Sequence, residues 1–424
     1  MNDERPIYQA RAVTVMDAET GLVLYENSQH QHMYPASVTK VMTALLVLEE
    51  VSDLSQEVMV SDRAVYLPHY AARLGLSAGD SMTVHEALYG LMLPSGNDIA
   101  NALAEHVSGS VEAFVSHMNR RAAELGAVNT RFVNPCGLPG DGQHVTAYDM
   151  SLIMREAVTH PVFNEIIAAP QFYIGPMASM PYGLLVPNTN LMVHPESYHY
   201  HPDVVGGKTG FTFAASHTLV SYARRGEHSV IVTVLYSPRH VTFSDTASLL
   251  DYAFSLPIEQ IFDAEAHYWE VPVIQDIDGE ATEIATLRVE AREGVRIPVP
   301  TDMQAISTEV HMDDYIQPPI FAGSIVGRKF IYVGNEQIAE IELFSTSSVL
   351  PYIPPPPVRE ISTTPMMMFQ QFAVQSPFFS IAIPLTIVIL VGMLMGLIRR
   401  RRRLRLRRMR RMERAARHGN FAGD

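Results

Sequence analysis

Lysine and cysteine are both scarce in this chain of 424 residues. Only Lys40, Lys208 and Lys329 are lysine, so arginine supplies 28 of the 31 basic residues (31 − 3). The single cysteine, Cys136, cannot form an internal disulfide, so cysteine usage gives no indication of the redox compartment. No internal repeat is visible, and the chain is long enough for two domains that each bury a core.

Positive charge is scarce everywhere except at one end. Residues 399–424 hold 12 arginines against Glu413 and Asp424, so this segment carries +10. Because the whole chain carries −14, the other 398 residues carry −24 (−14 − 10). An acidic body of this kind is a poor match for nucleic acid, and we expect no nucleic-acid partner.

The basic end directly follows a long apolar run. Residues 378–398, FFSIAIPLTIVILVGMLMGLI, contain no charge, and as a helix they would span about 31 Å, the thickness of a bilayer's hydrocarbon core. Arginines beside a membrane span stay in the cytoplasm, so we expect 399–424 to be a cytoplasmic tail and everything before Phe378 to be extracytoplasmic. A nucleic-acid-binding tail is the less favoured alternative, since such tails rarely adjoin an apolar run.

The first residues, MNDERPIYQARAV, lack the apolar core of a signal peptide. An exported domain needs such a signal. We therefore expect either that a signal peptide was trimmed from this sequence or that its start codon is placed too late. A cytoplasmic protein with a tail anchor is a third and less favoured alternative, given the acidic body and the basic tail.

Apolar periodicity divides the rest of the chain into regions. Residues 1–256 mix helices with strands at both ends, which predicts one sheet assembled from the N- and C-terminal parts. Residues 257–348 alternate with period two and predict a small all-β domain, and the Pro-rich residues 349–377 predict a stiff linker to the membrane. Within the first region we expect a hairpin at 10–26, helices at 37–50, 83–93, 97–107, 110–125, 147–158 and 244–254, and strands at 217–224 and 229–237.

The stretch YPASVTK contains the first candidate site. Ser37 and Lys40 are three residues apart, so on a helix they share one face, and Ser37 lies at the helix N-terminus, where a developing oxyanion is favoured. A serine hydroxyl needs a base to become a nucleophile, and a desolvated lysine can be that base. Arginine cannot, because it stays protonated. The alternative is a helix cap beside a surface lysine.

Two further motifs strengthen the catalytic interpretation of Ser37 and Lys40. LPSGND places Ser95 and Asn97 at the start of a helix, where a serine can relay protons and an amide can hold a carbonyl. GGKTGF places Lys208, Thr209 and Gly210 immediately before a strand, where lysine and threonine can bind a carboxylate and glycine lets a substrate approach closely. Taken singly, a plain N-cap and an ordinary turn explain these two motifs.

The three motifs together resemble a known active-site signature. Ser-x-x-Lys, Ser-x-Asn and Lys-Thr-Gly, in this order, are the signature of penicillin-binding proteins and serine β-lactamases. Four longer stretches strengthen the likeness over residues 1–256: VMDAETGLVLYENSQHQHMYPASVTKVMTALLVLE, LYGLMLPSGNDIANALAEHVSGS, FVNPCGLPGDGQHVTAYDM and KTGFT. They resemble D-alanyl-D-alanine carboxypeptidases among the low-molecular-mass penicillin-binding proteins, whose β domain and C-terminal anchor also match.

The resemblance implies a fold and a role for each motif residue. The fold is an α/β (α+β) catalytic domain of the β-lactamase/transpeptidase type, with an antiparallel sheet flanked by helices, followed by the β domain and one transmembrane helix. Ser37 would be the acylated nucleophile and Lys40 its base, Ser95 and Asn97 would shuttle protons and position substrate, and Lys208 and Thr209 would bind the terminal carboxylate. Gly210 would admit the substrate, and the backbone N–H groups of Ser37 and Phe211 would form the oxyanion hole.

Four positions depart from the pattern of this family. Val145 stands where serine is usual and Leu191 where a basic residue is common. Val205 and Gly207 replace a frequent aspartate and an aliphatic residue. None of the four lies in the three motifs, but Leu191 is expected to weaken carboxylate recognition.

The resulting hypothesis is a bacterial, membrane-anchored serine D-Ala-D-Ala carboxypeptidase that acts on peptidoglycan stem peptides, is inhibited by β-lactams and needs no cofactor. A serine β-lactamase is one alternative, although no Glu-x-x-Leu-Asn stretch lies between Asn97 and Lys208. A wall-binding scaffold with a silent site is another.

His194, His199 and His201 have loosely ligand-like spacing, but a solvated loop is the favoured interpretation and we expect no metal. Lys329 is expected at the surface, and Cys136 as a small packing residue.

Overall fold

We describe a computed structural model of the chain, covering residues 5–300 and 302–355. Helices and strands are mixed in the first 256 residues, and strands alone follow. The helices are α1 (Lys40–Glu50), α2 (Asp62–Val65), α3 (Val84–Met92), α4 (Asn97–Ser108), α5 (Val111–Glu124), α6 (Ala147–Ala157), α7 (Pro161–Ala168) and α8 (Thr242–Ser255). The strands up to residue 256 are β1 (Ala12–Asp17), β2 (Val23–Asn27), β3 (Glu57–Met59), β4 (Ser81–Thr83), β5 (Gln171–Ile174), β6 (Leu184–Pro187), β7 (Val204–Thr212), β8 (Ser216–Arg225) and β9 (His228–Ser237).

The main sheet joins strands from the N-terminal and C-terminal parts of this region, as predicted. Its five antiparallel strands run in the order β2-β1-β9-β8-β7, so β7 is an edge strand. Both faces of the sheet are covered. In β9, Ile231 and Leu235 pack into one apolar core with helices α1 and α6, while Val230, Val232 and Val234 belong to a second core with α8.

Local signals explain where several helices begin. Thr83 and Glu86 form a reciprocal capping box at the start of α3, in which each side chain bonds the other's backbone N–H. Ser110 and Thr146 cap α5 and α6 by accepting from backbone N–H groups with their side-chain oxygens. Because such caps are readable in a sequence, the predicted helices at 83–93, 110–125 and 147–158 agree with the structure to within two residues.

The C-terminal region is a sheet domain, as predicted. A five-stranded antiparallel sheet has the order β11-β12-β16-β15-β14, and β10 pairs with β13. The strands are β10 (Ile258–Phe262), β11 (Tyr268–Ile277), β12 (Glu280–Ala291), β13 (Val295–Pro298), β14 (Ile306–Met312), β15 (Ile325–Val333) and β16 (Glu336–Ser345). Both this sheet and the main sheet belong to one compact unit that ends at Tyr352.

Lys329 is not the surface residue that the sequence predicts. It lies in β15, an inner strand of the C-terminal sheet, and its side chain points into the second core with 8% exposure. Its Nζ atom lies 5.2 Å from the ring centroid of Phe262 and 5.9 Å from that of Trp269. The faces of these rings attract a cation, which offsets part of the cost of burial.

The start of the predicted linker is tied to the C-terminal sheet domain. Val349 pairs with Ile320, and Tyr352 exchanges two hydrogen bonds with the side chain of Gln275, at 2.7 and 3.0 Å. Within residues 5–300 and 302–355, no helix is long and apolar enough to cross a membrane. The predicted span at 378–398, the basic tail and most of the linker lie outside the described residues.

Candidate active site

Ser37 lies in a tight turn that leads into α1. Residues Ala36–Thr39 form a 3-10 helix, and the α-helix proper begins at Lys40, three residues later than predicted. Ala36 has a φ of +51°, which is unfavourable for a residue with a side chain. Gly137 packs directly beneath this turn, where a Cβ atom would overlap the carbonyl oxygen of Ala36. The loop around Gly137 therefore shapes the backbone that presents the half-buried Ser37.

Lys40 is fully buried, and its Nζ atom contacts three oxygens. These are Ser37 Oγ at 3.0 Å, Asn97 Oδ1 at 2.6 Å and the carbonyl oxygen of Cys136 at 3.0 Å. An amide oxygen and a carbonyl oxygen only accept hydrogen bonds, whereas a hydroxyl can also donate. A neutral amine would give its two N–H groups to Asn97 and Cys136, and its lone pair would face the Ser37 hydroxyl.

Burial makes the neutral amine accessible near physiological pH. Loss of hydration lowers the pKa of Lys40 from 10.5 to about 8, although the negative charge of Asp98 acts in the opposite direction. The spacing of Ser37 and Lys40 in the sequence indicated that they share a face. The size of this pKa shift depends on the surrounding core, which the spacing does not reveal.

Ser95 and Asn97 approach from a second loop. Ser95 has a φ of +68°, is buried, and its Oγ atom has no hydrogen-bond partner within the described part of the chain. Asn97 begins α4 and contacts Lys40. Asp98 accepts the backbone N–H groups of Leu74, Gly75 and Leu76 and so ties the loop to a neighbouring segment. The strained Ser95 backbone and its unpaired hydroxyl are typical of a functional position.

Lys208, Thr209 and Gly210 lie inside the edge strand β7, which corrects the prediction that they immediately precede a strand. Glycine is rare in strands, so the glycines of GGKTG obscure where this strand begins. The structure explains the glycine at 210. A Cβ atom there would lie 2.8 Å from the backbone nitrogen of Ser37 and would overlap the hydroxyl of Thr218. Strand β7 and the 3-10 turn at Ala36–Thr39 are thus in close contact through their backbones.

Lys208, Thr209 and Phe211 of strand β7 differ in environment. Lys208 is fully buried and donates a hydrogen bond to the carbonyl of Thr209 at 3.0 Å. Burial and the nearby charge of Lys40 lower the pKa of Lys208 well below its usual range. The Thr209 hydroxyl lies 2.7 Å from that of Thr189. Phe211 exposes about half of its ring, which packs against His217.

Two contributors to the site escaped the sequence analysis. Cys136 has the buried side chain that was predicted, but its backbone carbonyl holds Lys40, and no side-chain pattern reveals a backbone group. Thr189 contacts Thr209 from the segment that follows β6, 20 residues away in sequence. The site therefore draws on five separate segments, two of which lie outside the three motifs.

The structure shows the local contacts of two of the departures and of two of the histidines. Val145 is buried and pairs with Met33, and Leu191 is partly exposed at the start of a short 3-10 turn. His194 contacts the carbonyl of Asn188 at 2.8 Å, and His201 lies 3.6 Å from Asp251. In residues 5–300 and 302–355 no three His, Cys, Asp or Glu side chains are placed to hold a metal ion.

Comparison with known proteins identifies the family. The family model described as D-alanyl-D-alanine carboxypeptidase matches residues 1–238, more than half of the chain. The chain belongs to the D-alanyl-D-alanine carboxypeptidase family. This confirms the predicted family and the prediction of a serine peptidase, a hydrolase.

Individual relatives extend the likeness to this family. The D-alanyl-D-alanine carboxypeptidase DacF of Bacillus subtilis is 30% identical over 78% of this chain and 84% of its own length. DacB2 of Mycobacterium tuberculosis is 35% identical over 58% of this chain and 83% of its own length. Among solved structures, a peptidoglycan synthesis regulatory factor of Streptococcus pneumoniae, 25% identical, covers 81% of this chain and 100% of its own, with a TM-score of 0.66.

Proposed function

We propose that this carboxypeptidase removes the terminal D-alanine of peptidoglycan stem peptides through an acyl-enzyme on Ser37, with Lys40 as the base. One observation carries the proposal: the buried Lys40 amine lies 3.0 Å from Ser37 Oγ while two acceptors hold its N–H groups. In this arrangement the lone pair of a neutral amine faces the hydroxyl that has to lose a proton.

Acylation then proceeds in a balanced sequence. Ser37 Oγ attacks the carbonyl carbon of the penultimate D-alanine, and its proton passes to Lys40. The backbone N–H groups of Ser37 and Phe211 stabilise the oxyanion of the tetrahedral intermediate. The C–N bond breaks, and the proton is delivered to the leaving amine through the Ser95 hydroxyl. Free D-alanine departs, and water later attacks the ester and regenerates Ser37.

The edge strand supplies the binding groups in this proposal. Because β7 has a neighbour on one side only, an extended peptide can lie along its free edge. Lys208 and Thr209 receive the terminal carboxylate, and Asn97 positions the substrate while it holds Lys40. The carboxylate favours the charged form of Lys208 and thereby offsets the effect of burial on its pKa.

The proposal is tested by covalent labelling and by turnover. Purified protein should release D-alanine from diacetyl-Lys-D-Ala-D-Ala. After treatment with benzylpenicillin, intact-mass analysis should show one persistent adduct, and peptide mapping should place it on Ser37. An adduct at another residue, or none, contradicts the assignment. Rapid turnover of penicillin without a lasting adduct would instead favour a β-lactamase.

Acylation should depend on pH through Lys40. Burial lowers the pKa of Lys40 to about 8, so its reactive neutral form is a minority below that pH. The second-order rate of acylation by the methyl ester of benzylpenicillin, which has no carboxylate for Lys208 to bind, should rise about tenfold per pH unit below 8 and level off above it. Stopped-flow measurement from pH 6 to 9 checks this, with circular dichroism at each pH as the control for folding. A flat profile contradicts the base assignment.

We also propose that residues 378–398 anchor the enzyme to the membrane of a bacterial cell, with residues 1–377 outside the cytoplasm. The support is the charge-free run followed by 12 arginines in residues 399–424. Protease added to intact spheroplasts should digest the penicillin-binding region and spare an epitope tag at the C-terminus. Protection of the penicillin-binding region in intact spheroplasts contradicts this orientation.

A further inference from the structure

Thr189 occupies a fixed position between two buried neighbours. Asn188 is buried and donates from its side-chain amide to the carbonyls of Ile167 and Ala169, at 3.2 and 3.0 Å. Asn190 is also buried, and its side chain accepts from a backbone N–H of the following 3-10 turn. Because both flanking asparagines face inwards, Thr189 faces outwards, where it is exposed.

From this position Thr189 bridges two of the motif segments. Its backbone nitrogen and its Oγ1 atom both contact the carbonyl oxygen of Leu93, at 3.1 and 3.0 Å, two residues before Ser95. The same Oγ1 atom lies 2.7 Å from Oγ1 of Thr209. One hydroxyl thus joins the Ser95 loop to strand β7.

The hydroxyl protons allow two arrangements. In the first, Thr209 donates to Thr189, which donates to Leu93, and no proton of Thr209 is left for a ligand. In the second, Thr189 donates to Thr209, and the Thr209 proton is free for an incoming anion. The carbonyl of Leu93 keeps its bond from the backbone N–H of Thr189 in both arrangements, so the rotation leaves no acceptor unpaired.

We propose that Thr189 is a positioning residue for the substrate carboxylate: when the carboxylate arrives, both hydroxyls rotate, and Thr189 then donates to Thr209, which donates to the carboxylate. This inference rests on the proposed role of Thr209. A chain of two hydroxyls ending on an anion is polarised throughout, which strengthens its last bond.

The test compares two thioesters that share an N-phenylacetyl-D-alanyl group. One leaves as thioglycolate and carries a carboxylate, and the other leaves as methanethiol and carries none. Thr189→Val keeps the shape of threonine without its hydroxyl, and Thr189→Ser restores the hydroxyl. The matched control is Thr159→Val, which removes a hydroxyl bound to the carbonyl of Glu156 at the end of α6.

We expect Thr189→Val to lower kcat/KM for the carboxylate thioester about tenfold, mainly by raising KM. For the neutral thioester, kcat/KM should change by less than about twofold. Thr189→Ser and Thr159→Val should resemble wild type. In a protein that already carries Thr209→Val, Thr189→Val should cause no further loss of kcat/KM for the carboxylate thioester, because Thr189 acts through Thr209.

Each contrary outcome has its own meaning. An equal loss on both thioesters, or no loss on either, overturns the role of Thr189 and leaves the proposed function intact. An additive double variant shows that Thr189 binds the carboxylate without Thr209, which also overturns the inference. If wild-type enzyme does not prefer the carboxylate thioester, the proposed carboxylate site itself fails, and this inference fails with it.

Discussion

Replacement of Lys40 by arginine should reduce acylation of Ser37 by about 10³-fold, the scale of general-base catalysis. The variant keeps a positive charge at this position. Arginine cannot lose a proton under the assay conditions, however, so it cannot take the proton of Ser37. The measurement is the rate of benzylpenicillin adduct formation by intact mass, together with release of D-alanine from diacetyl-Lys-D-Ala-D-Ala. Acylation at a near-normal rate would show that charge alone is needed at residue 40.

Two companion variants separate chemistry from packing. Arginine is larger than lysine, and a fully buried site tolerates extra volume poorly. Lys40→Met is close to lysine in shape but has no base, so it should be equally inactive. It should also unfold at no lower temperature, because it no longer buries an amine. Ser37→Ala sets the zero of the labelling assay. If Lys40→Met were active, Lys40 would not be the base.

Substitution of Gly210 by alanine should lower kcat/KM for D-alanine release by about 10²-fold. The new Cβ atom would lie 2.8 Å from the backbone nitrogen of Ser37 and would overlap the hydroxyl of Thr218. A backbone atom cannot rotate away as the end of a flexible side chain can. Strand β7 and the 3-10 turn at Ala36–Thr39 must therefore move apart. The proposed oxyanion donors, the N–H groups of Ser37 and Phe211, then no longer point at the same oxygen atom.

A matched glycine controls for the general effect of an added methyl group. At Gly175 the nearest atom to a new Cβ would be a carboxylate oxygen of Glu86 at 3.0 Å, at the end of a flexible side chain. Gly175→Ala should therefore keep its activity to within about threefold. Thermal unfolding of both variants should be measured alongside the kinetics. If Gly210→Ala had normal activity, the close contact between β7 and the turn at Ser37 would not be needed for activity.

The main sheet and its helices could be predicted because their signals are local. Caps such as Thr83 and Ser110 mark helix starts, and the apolar runs of β8 and β9 mark strands that are buried on both faces. The misplaced elements are those whose sequence reflects a contact instead of a local preference. The sequence predicts that residues 208–210 precede a strand, yet they lie inside β7, and Gly210 allows the close approach to Ser37.

Lys329 illustrates the same limit in the C-terminal sheet. Within an alternating strand, a lysine is ordinarily assigned to the solvent face. Here it lies on the inner face beside Phe262 and Trp269, which come from other strands. Its burial could be recognised only when those rings were placed next to it, since the pairing of distant strands is not written in any one of them.

The amino-acid sequence by itself determined which residue types the candidate site contains: a serine and a lysine one helical turn apart, a second serine with an asparagine, and a second lysine with a threonine. These residue types in this order resemble the signature of the family, and the resemblance predicts an acylating serine with a lysine base. Tertiary structure alone decided the rest. The lowered pKa of Lys40 comes from complete burial, and its orientation comes from the carbonyl of Cys136 and the amide of Asn97. These groups lie 96 and 57 residues away along the chain, and only folding brings them to the amine.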